Sequence, residues 1–385
     1  MNDTEAASAA RGLAFDSGGL RVEWEVLPWA HSVGAALVVG CGSRDDPADR
    51  EGTAHLAEHL QVLAAPAAGT GGIPLDAVTG IDRTTFRGTG DPDDAGRLVR
   101  RLLDIASGHT THATPDVFEG ERHAVLLETR RMDHRPLLRL GPVLAAAAAD
   151  EPGLDAIGRT TTRSVGRITP ADVREVIERG YPGANARLFL AGPPRVTDDV
   201  RAAVDRHRPA LRPPRDCGGD TTVPHHRVVS GGCPPLHGLD GLAAVTLLRP
   251  RGTPSLTLDA FLDRRGPVVG PLADDGLRPL GSTVIEGRTE RVDMVVWRGD
   301  ITVPLERRLA QLVAGGWRVP LAALTSRLHS ARSAARHWRL ATPIGRVGDA
   351  ADRYALPGRP CGLPRVALWR ITGGAPECLA RHPLP

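Results

Sequence analysis

The segment His55-Leu56-Ala57-Glu58-His59 constrains this chain more than any other part of its sequence. Two histidines four residues apart lie on the same face of a helix, with about 5–6 Å between their Cβ atoms. The pattern therefore predicts a helix that offers two imidazole nitrogens to one Zn²⁺ ion. Glu58 is predicted to lie beside the metal and to act as the general base that takes a proton from water.

The surrounding sequence favours a folded domain with this helix inside it. Residues 20–26 alternate between apolar and polar positions and residues 32–40 form an apolar run, so both are predicted strands. A polar turn then leads into a helix that starts between Asp49 and Thr53. The motif reverses the order of the commoner His-Glu-x-x-His motif of zinc proteases, which makes a metallopeptidase the leading hypothesis.

A second helix, predicted over residues 115–132, offers the remaining ligand. A catalytic zinc site needs a third protein ligand and an open fourth position. Glu121 and Glu128 are two helical turns apart, so their carboxylates share one face. Glu128 is the candidate third ligand, and Glu121 is the candidate supporting acid that orients a ligand or tunes the metal. The alternative for Glu128 is an exposed carboxylate paired with a nearby arginine.

With these residues in place, the chain resembles the pitrilysin, insulysin and mitochondrial-processing-peptidase group of inverzincins. In that group a later helix reads Glu-Arg-x-x-Val-x-x-Glu, and here Glu-Arg-His-Ala-Val-Leu-Leu-Glu ends at Glu128. The resemblance implies that His55, His59 and Glu128 bind zinc, with Glu58 and Glu121 as catalytic residues. It also implies an α+β fold of two related domains, each a mixed or antiparallel sheet packed with helices on one side.

The segment Asp76-Ala77-Val78-Thr79 resembles the Asn-Ala-x-Thr strand on whose edge this family lays its substrate. The resemblance implies that Ala77, Val78 and Thr79 bind an extended peptide through main-chain hydrogen bonds. Such binding favours unstructured peptides and gives little sequence selectivity by itself.

Two stretches depart from the family pattern. The spacing between His59 and Glu128 is several residues shorter than usual, and the shortfall lies in Ala64–Gly72. In the C-terminal half the family has a substrate-binding arginine and tyrosine, whereas Gly270–Pro279 contains no tyrosine. We therefore predict a heterodimer with a homologous, zinc-less partner chain that supplies this pair.

The chain of 385 residues is long enough for two domains of about 180–200 residues each. We predict a disordered tail over residues 1–12 and a catalytic zinc-binding α+β domain over residues 13–207. A linker rich in proline and glycine follows at residues 208–223. Residues 224–385 are predicted to form a reduced, non-catalytic second α+β domain.

Charge and composition exclude other classes of protein. The net charge of +3 is too small to indicate nucleic-acid binding. Five cysteines without a Cys-x-x-Cys pair indicate neither a disulfide framework nor a thiolate metal site. Residues 1–12 lack the basic start and apolar core of a secretory signal, and no apolar run has a membrane-spanning length. We expect a cytoplasmic protein that does not contact the membrane.

These observations together predict a zinc-dependent endopeptidase subunit that hydrolyses short or unstructured peptides. A leader or precursor peptide in natural-product biosynthesis is one such substrate. Two alternatives stay open, namely a self-sufficient homodimeric peptidase and a non-catalytic assembly subunit of the same family.

Overall fold

The structure is a computed structural model. It describes residues 13–17, 19–63, 73–108, 113–133, 135–149, 153–154, 156–181, 183–207, 241–250, 278–287, 290–299, 307, 311, 341–354, 365–372 and 375–383. Four regions named above lie outside the described residues: the N-terminal tail, Ala64–Gly72, the predicted linker and nearly all of Gly270–Pro279. The predicted domain limits therefore stay predictions.

The secondary structure follows the local sequence patterns closely. The strands are β1 (Leu13–Ser17), β2 (Leu20–Val26), β3 (Val33–Val39), β4 (Leu75–Thr79), β5 (Thr84–Gly90), β6 (Ala186–Gly192), β7 (Leu242–Pro250), β8 (Arg278–Glu286), β9 (Glu290–Arg298), β10 (Arg365–Thr372) and β11 (Ala375–Pro383). The α-helices are α1 (Thr53–Leu63), α2 (Ala95–Ala106), α3 (Pro115–Asp133), α4 (Pro136–Ala149), α5 (Ala156–Arg159), α6 (Thr162–Val165), α7 (Pro170–Gly180), α8 (Thr197–His207) and α9 (Pro343–Arg353). In the described part of the chain, no helix is long and apolar enough to cross a membrane.

The chain forms two compact units, and each is built from separate stretches of sequence. The described residues of the first unit fall within 1–127, 161–226 and 336–354, and those of the second fall within 128–160, 227–335 and 355–385. Helix α3 is continuous across the first of these limits, so its residues keep helical register with one another.

The first unit is built on a six-stranded sheet in the order β1-β2-β6-β3-β5-β4. Only the β2–β6 pair is parallel among its described pairs. Strand β3 is buried along its whole length. Val33 and Leu37 face the main core with α1, α2, α7 and α8, whereas Ala36 and Val38 face α9 on the opposite side. Burial on both faces explains why this strand is an unbroken apolar run in the sequence.

The second unit is built on an antiparallel sheet in the order β11-β10-β7-β9-β8. Helix α4 packs on this sheet, with Leu140 and Leu144 fully buried. The chain is therefore α+β with two sheets that are packed with helices, which confirms the predicted fold class. One feature was not predicted: the first sheet has a helix, α9, on its second face as well.

His207, in the last turn of α8, links this helix to α2. Its Nε2 lies 3.1 Å from Oδ1 of Asp104, and its Nδ1 lies 3.1 Å from the carbonyl oxygen of Ala203. Both partners are acceptors, so only the doubly protonated imidazolium satisfies both. The hydrogen bond to Asp104 raises the pKa of His207 above its ordinary value of 6.5.

His207→Gln is expected to lower the free energy of unfolding by about 1 kcal/mol at pH 6. The folded-state pKa is raised, so this contribution is complete below the unfolded pKa and disappears as pH rises through the folded pKa. Urea unfolding of wild type and variant at pH 6 and pH 9 measures it, with exposed His31→Gln as the control. A stability difference that does not change with pH would contradict this role.

Candidate metal centre

Helix α1 begins at Thr53 because two residues before it define its N-terminus. Gly52 has φ +101°, in the left-handed region that favours glycine. The carboxyl group of Asp46 accepts hydrogen bonds from the N–H groups of Gly52 (2.7 Å) and Ala54 (2.6 Å). Burial raises the pKa of Asp46 to about 8, while these two bonds act to lower it. Asp46 and Gly52 thereby fix where the histidine motif starts.

The two motif histidines share one side of α1. Leu56 and Ala57 are buried in the core of the first unit, whereas His55 and His59 are only half-buried. The centroids of the two imidazole rings are 4.9 Å apart, and the rings meet edge to face at 79°. The helix and its histidine pair thus follow the spacing argument made from the sequence.

Helix α3 brings Glu121 beside the second histidine. Phe118 and Val125, seven residues apart on α3, are buried and fix which face of the helix meets the core. Oε2 of Glu121 lies 2.9 Å from Nδ1 of His59. Because an ionised carboxylate can only accept, this bond places the proton on Nδ1, and the lone pair is then on Nε2. Glu121 therefore selects the nitrogen of His59 that can bind a metal.

Glu128 completes a group of three ligand atoms. One ligand atom from each of His55, His59 and Glu128 lies within 4.8 Å of the other two, and within the described ranges no other such group of His, Cys, Asp or Glu occurs. Two imidazole nitrogens and one carboxylate oxygen are a donor set that catalytic zinc sites use. Ligand atoms bound to one zinc ion at about 2 Å lie at most about 4 Å apart. The donor types therefore suit a zinc ion, and separations of up to 4.8 Å exceed this limit by less than about 1 Å, which a small side-chain movement would close.

Glu58 lies on α1 and reaches strand β4. It is only 7% exposed, and its Oε2 accepts a hydrogen bond of 2.5 Å from Oγ1 of Thr79. This distance is typical of a hydroxyl that donates to a carboxylate. Glu58, the predicted base, is thus next to the predicted ligand His59 in the sequence. It is also hydrogen-bonded to Thr79, a predicted substrate-binding residue.

Strand β4 is an edge of the first sheet, and among the described strands it pairs only with β5. At the turn between them the N–H of Gly80 donates to the carbonyl of Arg83. Hydrogen-bonded and non-hydrogen-bonded pairs alternate along antiparallel strands. Ala77 and Thr79 therefore direct their N–H and C=O groups away from β5, towards the edge. The side chain of Val78 is 52% exposed.

Thr84 and Tyr181 lie behind Glu58 and belong to no motif that the sequence analysis identified. Thr84 is fully buried, its hydroxyl donates to the carbonyl of Cys41 (2.9 Å), and its Oγ1 lies 3.5 Å from Oγ1 of Thr79. Tyr181 is buried nearby, with its ring centroid 6.3 Å from that of Phe86, and burial raises its pKa well above the ordinary value. Thr84 could have been found by pairing residues across the turn after β4, since it is the register partner of Thr79.

Comparison with known proteins bears directly on this site. Residues 21–157 match the sequence model of the insulinase family, peptidase family M16, and this range contains the motif helix together with Glu121 and Glu128. Residues 21–157 are thus similar to a peptidase family M16 domain. The resemblance to the pitrilysin and processing-peptidase group is thereby confirmed.

Two curated relatives of the M16 domain indicate the range of the family. The chain is 32% identical over 201 residues to an uncharacterized zinc protease of Mycobacterium tuberculosis, an alignment that covers 49% of this chain and 45% of the relative. It is 25% identical over 187 residues to the mitochondrial-processing peptidase subunit beta of Saccharomyces cerevisiae, covering 45% of this chain and 39% of that protein. The chain spans about half the length of the curated relatives it matches.

A solved structure extends the likeness in fold beyond the M16 match. A protease from Helicobacter pylori superimposes with a TM-score of 0.65 at 16% identity, over 89% of each chain. At this identity the likeness concerns the fold alone. It agrees with the two helix-packed sheets described above.

Proposed function

We propose that this chain is the zinc-bearing subunit of a metalloendopeptidase. The observation that carries the proposal is the convergence of one ligand atom each from His55, His59 and Glu128 within 4.8 Å. The M16 match over the same residues and the relatives named zinc proteases support it. His55, His59 and Glu128 would hold the ion, and the fourth position would stay open for water or substrate.

Zinc at this position would supply a Lewis acid that polarises the scissile carbonyl and lowers the pKa of water. The other steps belong to the protein. Glu58 takes a proton from the water that adds to the carbonyl carbon, and it then passes this proton to the nitrogen of the breaking C–N bond. The leaving peptide departs as a neutral amine, and Glu58 returns to its carboxylate form. Glu121 holds His59 in one tautomer throughout.

Glu121→Gln is expected to weaken zinc binding by about 10–100-fold. The glutamine amide retains the size of the side chain but gives a weaker, uncharged partner to Nδ1 of His59. Competition with a chromophoric zinc chelator measures the affinity. The control is Glu119→Gln on the same helix, because Glu119 pairs with Arg122 and not with a motif histidine. Equal zinc affinities in wild type and Glu121→Gln would remove Glu121 from the site.

The substrate is proposed to add as a strand at the edge of β4. The N–H and C=O groups of Ala77 and Thr79 that face this edge would pair with the substrate main chain. Val78 would contact a substrate side chain with its exposed methyl groups. Main-chain pairing requires an extended segment, which favours short or unstructured peptides. A leader or precursor peptide in natural-product biosynthesis meets that requirement.

A homologous, zinc-less partner chain is proposed to complete substrate binding. The chain contains only two tyrosines, and both belong to the first unit. Tyr181 is buried, and the ring of Tyr354 packs 5.9 Å from that of Phe189 and 4.4 Å from the guanidinium of Arg187. The second unit therefore contains no tyrosine of its own. One relative is itself named as a subunit, which agrees with a two-chain enzyme.

Purification of an affinity-tagged chain from its native host tests the function and the partner together. We expect one zinc ion per tagged chain, cleavage of fluorescently labelled casein (an unstructured protein), loss of cleavage with 1,10-phenanthroline and recovery with added Zn²⁺. A co-purifying homologous chain supports the heterodimer, and full activity of the tagged chain alone supports the homodimeric alternative. Protein without zinc and without cleavage would overturn the proposal in favour of a non-catalytic assembly subunit.

A further inference from the structure

We propose that Thr79 is a positioning residue for Glu58, and that it couples the substrate-binding edge to the catalytic base. The inference rests on the proposed function of the zinc site. The same residue has two distinct connections: its main chain faces the open edge of β4, and its hydroxyl donates to Oε2 of Glu58 at 2.5 Å. Motion of the edge strand would therefore move the carboxylate that must reach the attacking water.

The direction of this hydrogen bond is fixed by the groups behind Thr79. The hydroxyl of Thr84 donates its only proton to the carbonyl of Cys41 at 2.9 Å. Thr84 therefore can only accept from Thr79, and at 3.5 Å between the two oxygens that contact is weak. The proton of Thr79 is directed to Glu58, where the short distance indicates a charge-assisted bond.

The Thr79 hydroxyl is also held rigidly. Threonine is branched at Cβ, which restricts its χ1 angle on a strand. Its register partner Thr84 is fully buried, which fixes the strand beside it. Glu58 has a longer side chain with three rotatable bonds, so a rigid donor limits the positions its carboxylate adopts. Alignment of a base within about 1 Å is worth about 100-fold in rate.

The substrate is predicted to reinforce this alignment. A peptide strand that pairs with the outward N–H and C=O groups of Ala77 and Thr79 holds β4 from its open side. Binding of a substrate strand in register with β4 would therefore also hold Thr79, and through its hydroxyl the carboxylate of Glu58, in position. Loss of the hydroxyl should therefore affect turnover more than binding, because the main-chain groups that bind substrate are unchanged.

Two substitutions separate the hydroxyl from the shape of the side chain. Thr79→Val keeps the volume and the branching at Cβ and suits a strand, so the fold should persist. Thr79→Ser keeps the hydroxyl and loses the methyl group. Thr89→Val is the matched control, because Thr89 lies on β5 and its hydroxyl bonds to the carbonyl of Val33, away from Glu58.

Each variant is purified with a tag from the native host, so that a partner chain is retained. Cleavage of an internally quenched peptide gives kcat and KM, and zinc content and affinity are measured on the same samples. We expect Thr79→Val to lower kcat by about 10–100-fold, with KM and zinc affinity within about twofold of wild type. Thr79→Ser and Thr89→Val should retain most of the wild-type kcat.

Several results would overturn the positioning role. A kcat for Thr79→Val within about twofold of wild type would do so, as would equal losses in Thr79→Ser and Thr79→Val, since the methyl group or the packing would then be responsible. Loss of zinc from Thr79→Val would assign Thr79 to the structure of the metal site instead. Wild-type protein without zinc-dependent cleavage would overturn the proposed function itself, and the role of Thr79 with it.

Discussion

Replacing Glu58 by glutamine is expected to reduce peptide cleavage by about 100- to 10,000-fold while zinc remains bound. Glutamine has nearly the same shape and can still accept a hydrogen bond from Thr79, whose hydroxyl lies 2.5 Å from Oε2 of Glu58. The amide cannot take a proton from water at neutral pH, so the step that creates the nucleophile is lost. The proposed ligands His55, His59 and Glu128 are unchanged by this substitution.

The measurement pairs cleavage of labelled casein with zinc content on the same sample. Glu51→Gln, seven residues earlier and just before α1, removes the same charge without altering the motif, and it should keep near-normal activity. Cleavage by Glu58→Gln at the wild-type rate would remove Glu58 from the mechanism. Loss of zinc from Glu58→Gln would mean that this carboxylate supports the ligands and does not act as the base.

Glu128→Gln has the second large expected effect, which is a loss of zinc affinity. The loss should exceed the roughly 10–100-fold expected when a residue that only hydrogen-bonds a ligand is replaced. A carboxylate oxygen carries charge that the amide oxygen lacks, and the remaining two imidazoles hold a dication poorly. Cleavage should disappear with the metal and return in part at high zinc concentration, because the proposed base Glu58 is intact.

Isothermal titration of the metal-free protein with Zn²⁺ gives the affinity of each variant. Glu119→Gln is the matched control, since it lies on the same helix and pairs with Arg122. The alternative from the sequence was that Glu128 is an ordinary surface carboxylate. Unchanged zinc affinity in Glu128→Gln would establish that alternative and leave the third ligand to be sought elsewhere.

Much of the local structure could be predicted because it depends on short-range periodicity. The alternation over residues 20–26 became β2, and the apolar run before Gly40 became β3. The helix predicted over residues 115–132 is α3, which ends within a residue of that limit. In each case the period of apolar residues identifies the buried face without knowledge of what covers it.

The partners across the fold could not be predicted in the same way. Helix α9 follows β3 by some three hundred residues, yet Val347 and Ala351 pack against Ala36 and Val38 on the second face of the first sheet. Helix α4 lies just after α3 in the sequence and packs on the second sheet. An apolar helical face predicts that the helix is buried on that side. It does not predict which surface covers it, because many apolar faces in one chain could pack there equally well.

For the site itself, the sequence by itself determined which side chains share a helix face. A spacing of four places two imidazoles on one helix face, and a spacing of seven places two carboxylates on another, because the helical repeat is fixed by backbone geometry. Only the tertiary structure decided how these faces meet. In it, Glu121 lies within hydrogen-bond distance of Nδ1 of His59, and a ligand atom of Glu128 lies within 4.8 Å of those of both histidines. The hydroxyl of Thr79 donates a hydrogen bond to Glu58. Those contacts join residues 21 to 73 positions apart, and distances across a fold depend on packing that no local repeat encodes.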